Sequence, residues 1–171
     1  MSNSTLKPAD DTVDYGLLSA QVAQLAQDEV HWLPVLANAA TLIGETLPHI
    51  NWAGFYLRAD LLNASLSKAE LILGPFAGKV ACVHIPYGKG VCGTAAASDE
   101  VQLVADVHSF PGHIACDAAS RSEIVVPLHA RGEVVGVLDI DSPLLARFDE
   151  ADKSGLIAVA HAIELCFETA R

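Results

Sequence analysis

The sequence predicts an α+β fold: one central antiparallel sheet flanked by helices from both ends of the chain. Three observations carry this. Apolar residues recur at three-to-four spacing before Thr46 and again after Asp149. Between these stretches the apolar period drops to two, in segments rich in β-branched, aromatic and aliphatic residues. The clearest two of these segments are joined by three residues including Gly132, a common hairpin length that makes neighbouring strands antiparallel.

Taken in order, residues 1–13 read as a mobile polar tail and residues 14–171 as a single domain. A first helix begins after Asp14, with Leu17, Leu18, Val22, Leu25 and Ala26 on its stripe. A second runs from about His31 to Thr46, with Pro34 tolerable in its first turn and Pro48 closing it. Asn51–Arg58, Glu70–Leu73 and Val80–Ile85 read as strands, with 60–68 as the first connection. A short helix is predicted over Val91–Ala97 and a strand over Val101–Val104. Residues 105–122 read as a long irregular loop, a length usually tied to function in a compact domain. Glu123–His129 and Glu133–Ile140 form the hairpin, Pro127 marking an edge or bulge. Asp149 to Thr169 is a closing helix, with Leu156, Ala160, Ile163 and Phe167 on one stripe.

Composition limits the function classes. The chain has 171 residues, about one domain's worth, and 51% of them are hydrophobic, enough for a sizeable core. The net charge of −11 divides as −5 over residues 1–50, 0 over 51–100 and −6 over 101–171. A phosphate backbone or an anionic bilayer would be repelled, so neither nucleic acid nor a membrane surface is expected as a partner. No apolar run approaches the ~18 residues of a membrane span, and the polar start lacks the marks of a secretory signal. A cytoplasmic location follows as an expectation, and there four cysteines stay reduced unless they have redox, metal or catalytic work.

One motif is rejected. Gly88-Lys-Gly-Val-Cys-Gly93 matches a dinucleotide fingerprint, but only residues 94–100 separate it from the next strand. A parallel crossover needs about 10–12 residues or more, so these glycines are read as a turn that brings backbone close to a site or a neighbouring strand.

Cys82, Cys92 and Cys116 fall in the central region: on a strand, at the start of the short helix, and in the long loop. Amide dipoles at a helix N-terminus acidify a thiol, which favours Cys92 as a thiolate. A loop thiol can approach a substrate and then a second thiol, which favours Cys116. Cys166, among apolar residues of the closing helix, reads as core. His84, His108 and His113 lie nearby, but no Cys-x-x-Cys or His-x-x-x-His pair is present and no metal site is expected. His108 and His113 read as loop-stabilising or thiol-tuning residues, and His31, His49, His129 and His161 as surface or cap residues.

The carboxylates are more telling. Strand alternation puts Asp139 and Asp141 on one face with Val135 and Val137, opposite Leu138 and Ile140. Close carboxylates persist by binding a cation or by sharing a proton at a raised pKa. Trp52 and Tyr56 share a face by the same rule, and Glu123 begins the strand that pairs with the Asp139 strand. An aromatic wall, two or three carboxylates and a nearby thiol could therefore line one pocket.

Six segments then carry a resemblance: Asn51-Trp-Ala-Gly-Phe-Tyr-Leu57, Leu73-Gly-Pro-Phe-Ala-Gly-Lys-Val-Ala-Cys82, Gly90-Val-Cys-Gly-Thr94, Gly112-His-Ile-Ala-Cys-Asp117, Ser122-Glu-Ile-Val-Val-Pro127 and Gly136-Val-Leu-Asp-Ile-Asp-Ser-Pro143. Together they resemble the free methionine-(R)-sulfoxide reductases, a GAF-domain family, over roughly residues 15–170. The resemblance implies a GAF fold with the terminal helices on one sheet face and the ligand pocket on the other. It implies reduction of free methionine sulfoxide, R epimer, and not of the residue within proteins. Cys116 is then the nucleophile, Cys82 the resolving thiol and Cys92 a secondary or alternative partner. Trp52, Tyr56, Glu123, Asp139 and Asp141 match substrate-pocket positions. The implied chemistry runs from thiolate attack through a sulfenic acid to a disulfide. Thioredoxin is the implied reductant, no cofactor is implied, and a homodimer follows by analogy with GAF domains that pair through terminal helices. The alternative is a non-catalytic GAF domain that binds a small ligand or senses redox state.

Overall fold

In this computed structural model, residues 12–112 and 118–169 are described. The element order is α1 (Tyr15–Ala26), α2 (Trp32–Thr46), β1 (Trp52–Arg58), α3 (Ala59–Leu62), β2 (Glu70–Gly78), β3 (His84–Pro86), α4 (Gly90–Ser98), β4 (Gln102–Val104), β5 (Ser122–Ala130), β6 (Glu133–Ser142) and α5 (Glu150–Thr169). A 3₁₀ turn at Val107–Ser109 interrupts the connection expected to be irregular, with Asp106 accepting from the His108 amide at its start. The six strands form one sheet in the order β3-β2-β1-β6-β5-β4, antiparallel throughout. No helix among the described residues is long and apolar enough to cross a membrane.

The two central strands organise everything else. All seven residues of β1 are buried, because both sheet faces are covered. Period-two alternation sends Ala53, Phe55 and Leu57 to one face, in line with Ile140, Leu138 and Gly136 of β6 and then Ile124, Val126 and Leu128 of β5. These rows meet Leu18 and Val22 of α1, Leu36 and Ile43 of α2, and Leu156 and Ile163 of α5 in a single apolar cluster. The opposite face carries Trp52, Tyr56, Val125 and Val137, packed under Val91, Cys92 and Ala95 of α4. The terminal helices thus lie on one face, as the resemblance implied, and α4 lies on the other.

Local chemistry explains the element ends. The Asp14 carboxylate accepts from the Leu17 amide and starts α1, and Val13, read from sequence as tail, packs on the helical core. Asp149 caps α5 by accepting from the Ala151 and Asp152 amides, while Asp152 accepts from the Asp149 amide in return. The β5–β6 connection is tighter than the three-residue loop expected: Ala130 pairs with Glu133, and Arg131 and Gly132 both adopt positive φ, 52° and 79°. That is the two-residue turn whose twist suits antiparallel strands. Pro127 lies beyond the last β4–β5 pair, where β5 has no neighbour on that side to need its missing N–H, and one residue before the bulge at Leu128/His129.

The same bulge corrects one facing. Leu128 pairs with Gly136 but His129 with Val134, so Val135 is an extra residue in β6. Val135 therefore packs with the helices, while Val137 stays on the α4 face with Asp139. Cys82 is corrected too. The predicted strand at Val80–Ile85 shrinks to His84–Pro86, leaving Cys82 in a loop, because β2 runs on to Gly78 and leaves the ladder at that residue's φ of 145°.

A buried ion pair ties α5 to α1 and to the segment between α2 and β1. Arg147 donates to Asp152 at 3.0 Å with both side chains fully buried, and its Nε donates to the Pro48 carbonyl. Tyr15 donates to the other Asp152 oxygen at 2.6 Å. Arg147→Ala would strand the Asp152 charge, and urea unfolding should show a loss of about 3–5 kcal/mol.

Candidate active site

A cavity of ≈ 540 Å³, counting the space at its mouth, opens between the sheet and α4. Its floor is set by strand register. Trp52 of β1 lies opposite Asp141 of β6, which lies opposite Glu123 of β5. One step along, Gly54 lies opposite Asp139, and Tyr56 opposite Val137. The residues anticipated from strand alternation as a pocket, Trp52, Tyr56, Glu123, Asp139 and Asp141, do line one cavity, together with Cys92.

The aromatic wall depends on a glycine. The Trp52 ring stacks on Tyr56 at 5.9 Å and on Phe76 at 5.3 Å. This packing lays the indole over Gly54, where a Cβ would come within 2.7 Å of it and would also collide with Phe76. The wall also holds down the β2–β3 loop: Trp52 Nε1 donates to the Lys79 carbonyl and the Tyr56 hydroxyl to the Cys82 carbonyl, both at 3.1 Å. Val80 and Ala81 of this loop close the cavity on that side.

The acidic end is buried. Glu123 and Asp139 are each only 6% exposed, and Cys92 4%. Cys92 Sγ lies 3.9 Å from Glu123 Oε1, and Asp139 is hydrogen-bonded to both Cys92 and Glu123. Asp139 Oδ1 is buried without a hydrogen-bond partner. Burial, then the neighbouring charges of Asp139 and Asp141, push the Glu123 carboxyl well above the usual range. Burial raises Asp139 to about 6, against the opposing pull of its hydrogen bonds to Cys92 and Glu123. Two touching carboxyls in an apolar setting share a proton rather than both ionising. The Tyr56 phenol is held neutral by burial and then by Asp139.

Cys92 departs from the expectation of an acidified thiol. It lies in the first turn of α4, but burial, then Asp139 and Glu123, drive its pKa well above the ordinary value. The helix amides are outweighed by desolvation and two adjacent carboxyls. Cys82 is disulfide-bonded, while Cys92 and Cys166 are free thiols. Cys166 is core as anticipated, its thiol pushed up to about 12 by burial. Cys116, and His113 beside it, lie outside the described residues.

Among the described residues, no histidine enters the cavity lining. His84 faces Glu70, and His108 faces Asp106 across the 3₁₀ turn. His129, read as a surface or cap residue, clamps two helices: its two ring nitrogens lie 2.9 Å from Glu164 of α5 and 2.7 Å from Asp99 after α4. The glycine motif makes a turn, as inferred. The Gly88 amide donates to the Gly93 carbonyl, and a Cβ on Gly93 would strike the Pro86 carbonyl oxygen.

Sequence reasoning missed Phe76, Ser120 and Lys89. Phe76 reaches the wall because Gly74 and Pro75 together face Phe55 alone, shifting the β1–β2 register by one. Ser120 is a buried lining residue that accepts a hydrogen bond from Asn51. Lys89 precedes α4 and lines the cavity, and its place before a helix was the one available signal.

A GAF-domain family model matches residues 19–167. The chain belongs to the GAF-domain family, and within it to the group that includes the free methionine-R-sulfoxide reductases. Protein YtsP of Bacillus subtilis is 50% identical over 91% of this chain and 91% of its own length. The free methionine-R-sulfoxide reductase of Escherichia coli is 48% identical over 91% of this chain and 89% of its own. A structure of the Staphylococcus aureus fRMsr in complex with substrate superposes with a TM-score of 0.81 at 50% identity, over 91% of this chain and 97% of that one.

The raised carboxyls bear on stability. Unfolded carboxyls titrate near ~4, whereas folded Asp139 titrates at about 6 and Glu123 is also raised. The native state therefore holds extra protons, and this stabilisation, complete below ~4, is lost as pH rises through the folded values. Asp139→Asn should melt higher than the parent at about pH 8, by on the order of 2 kcal/mol, with little difference near pH 4. Thermal unfolding across that range checks this.

Proposed function

We propose that the chain reduces free L-methionine-(R)-sulfoxide to methionine. One observation carries the reading: an aromatic wall faces a buried, proton-sharing carboxyl pair across a cavity, in a chain closely similar to named reductases. Sulfoxide reduction needs a nucleophile at sulfur and a proton for the departing oxygen. Glu123, its carboxyl raised well above the usual range and paired with Asp139, is suited to supply that proton.

The rest of the substrate finds matched groups. Its α-ammonium pairs with the remaining acidic groups, including Asp141, and its S-methyl packs on the Trp52 indole. Its α-carboxylate is suited to the start of α4, where no side chain caps the first-turn amides of Gly90 and Val91 and where Lys89 lines the cavity. A peptide-bound methionine sulfoxide lacks both free charges and would leave these groups unpaired.

In the proposed sequence the Cys116 thiolate attacks the sulfoxide sulfur, the protonated oxygen is transferred, methionine leaves and Cys116 is left as a sulfenic acid. Cys82 condenses with it, releasing water and forming a disulfide, and a dithiol reductant of the thioredoxin kind restores both thiols. That Cys82 is disulfide-bonded, in a loop held against the cavity by Trp52 and Tyr56, supports its resolving role. The high thiol pKa of Cys92 favours an auxiliary part for it. Exposed leucines on the terminal helices, Leu17 and Leu165, favour a homodimer, and a cytoplasmic setting suits the thiol cycle.

Cys116→Ser should abolish turnover of free L-methionine-(R)-sulfoxide with dithiothreitol as reductant, and full activity would remove Cys116 as nucleophile. Peptide mapping after turnover without reductant should recover a Cys82–Cys116 disulfide, and species linked only through Cys92 would reassign the resolving thiol. Asp141→Asn should lose activity while keeping the fold, which circular dichroism and the turnover assay together check. The ligand-sensing alternative predicts binding without catalytic loss of the sulfoxide.

A further inference from the structure

Cys92 Sγ and one carboxylate oxygen each from Glu123 and Asp139 lie within 4.8 Å of one another. The three residues come from α4, β5 and β6, so no local spacing announces the group. Asp139 Oδ1 is buried in this cluster without a hydrogen-bond partner. Among the described residues lining the cavity, Lys89 is the lone Lys or Arg, against three carboxylates there.

We propose that this cluster is an inhibitory zinc site, holding one Zn²⁺ through Cys92, Glu123 and Asp139. One thiolate and two carboxylates suit zinc better than magnesium or calcium, which prefer oxygen donors alone. The fourth coordination position faces the cavity, where Asp141 or water completes it. Binding is an exchange of protons for metal: the Cys92 S–H breaks, a zinc–sulfur bond forms, and the thiol proton and the proton shared by the carboxyls pass to solvent. No electron moves. The ion's two positive charges replace those of the two protons released, so the net charge of the cluster is unchanged. It also occupies the acids assigned above to the substrate, so zinc and methionine sulfoxide exclude each other. That exclusion rests on the proposed reductase reading, whereas zinc binding itself does not.

The test begins with the chain in which Cys82 is disulfide-bonded, so that Cys92 is the thiol facing the cavity. Titration with Co²⁺ should give one equivalent of binding and a near-ultraviolet thiolate-to-cobalt band, and Zn²⁺ should displace it. Cys92→Ser should abolish the band and weaken Zn²⁺ by more than ~100-fold, beyond the 10–100-fold that losing an outer-shell partner costs. Glu123→Gln, which keeps the shape of the side chain, should also weaken binding, with circular dichroism showing both variants folded. Absence of stoichiometric binding, or a band that survives in folded Cys92→Ser, overturns the site. In turnover assays with a phosphine reductant, which unlike dithiols leaves zinc free, Zn²⁺ should raise KM for free methionine sulfoxide while kcat holds. Stoichiometric zinc binding with unchanged KM would overturn the shared pocket and leave the metal site in place.

Discussion

Two carboxyl groups, Glu123 and Asp139, are buried side by side under the Cys92 thiol, and the cavity takes its character from that placement. Buried acids are tolerated only when paired, protonated or bound to a cation. Here burial raises both carboxyls until a proton is shared, so the pair carries one negative charge rather than two in an apolar setting. The arrangement costs stability as pH rises, and it persists on the one sheet face that opens to a ligand. The opposite face, covered by α1, α2 and α5, buries aliphatic and aromatic side chains without such a cluster.

The aromatic wall and the acids are coupled through the sheet rather than through each other. Register across β1, β6 and β5 puts Trp52, Asp141 and Glu123 in one row and Gly54 and Asp139 in the next. The glycine lets the indole lie flat across the strand, and the indole then reaches the Lys79 carbonyl. Tyr56 reaches the Cys82 carbonyl in the same way. The loop that carries Cys82 is thereby positioned by the same side chains that form the pocket wall. A single pair of side chains thus shapes the cavity wall and fixes the loop that carries Cys82.

Much of this was legible from local rules. Alternation on Asn51–Arg58 and Glu133–Ile140 placed Trp52 with Tyr56 and Asp139 with Asp141 correctly, because side chains in a regular strand have no choice of face. The rule failed where strands were irregular. Val135 changes face at a bulge, and Phe76 joins the wall because Gly74 and Pro75 together oppose one residue. Both shifts arise from pairing with a second strand, which a window on one strand does not contain. Cys92 failed for a different reason. Its position in the first turn of α4 argues for acidity, but the carboxyls that reverse this come from β5 and β6, at least 31 residues away in sequence.

The amino-acid sequence by itself determined the fold class, which side chains share a strand face, and which residue types were available for chemistry. It did so because hydrophobic periodicity and strand alternation are local properties of the chain. The tertiary structure decided which acids meet, which thiol they face and in what protonation state they rest. Those properties depend on burial and on distances between α4, β5 and β6, and desolvation acts only once the chain has closed around them.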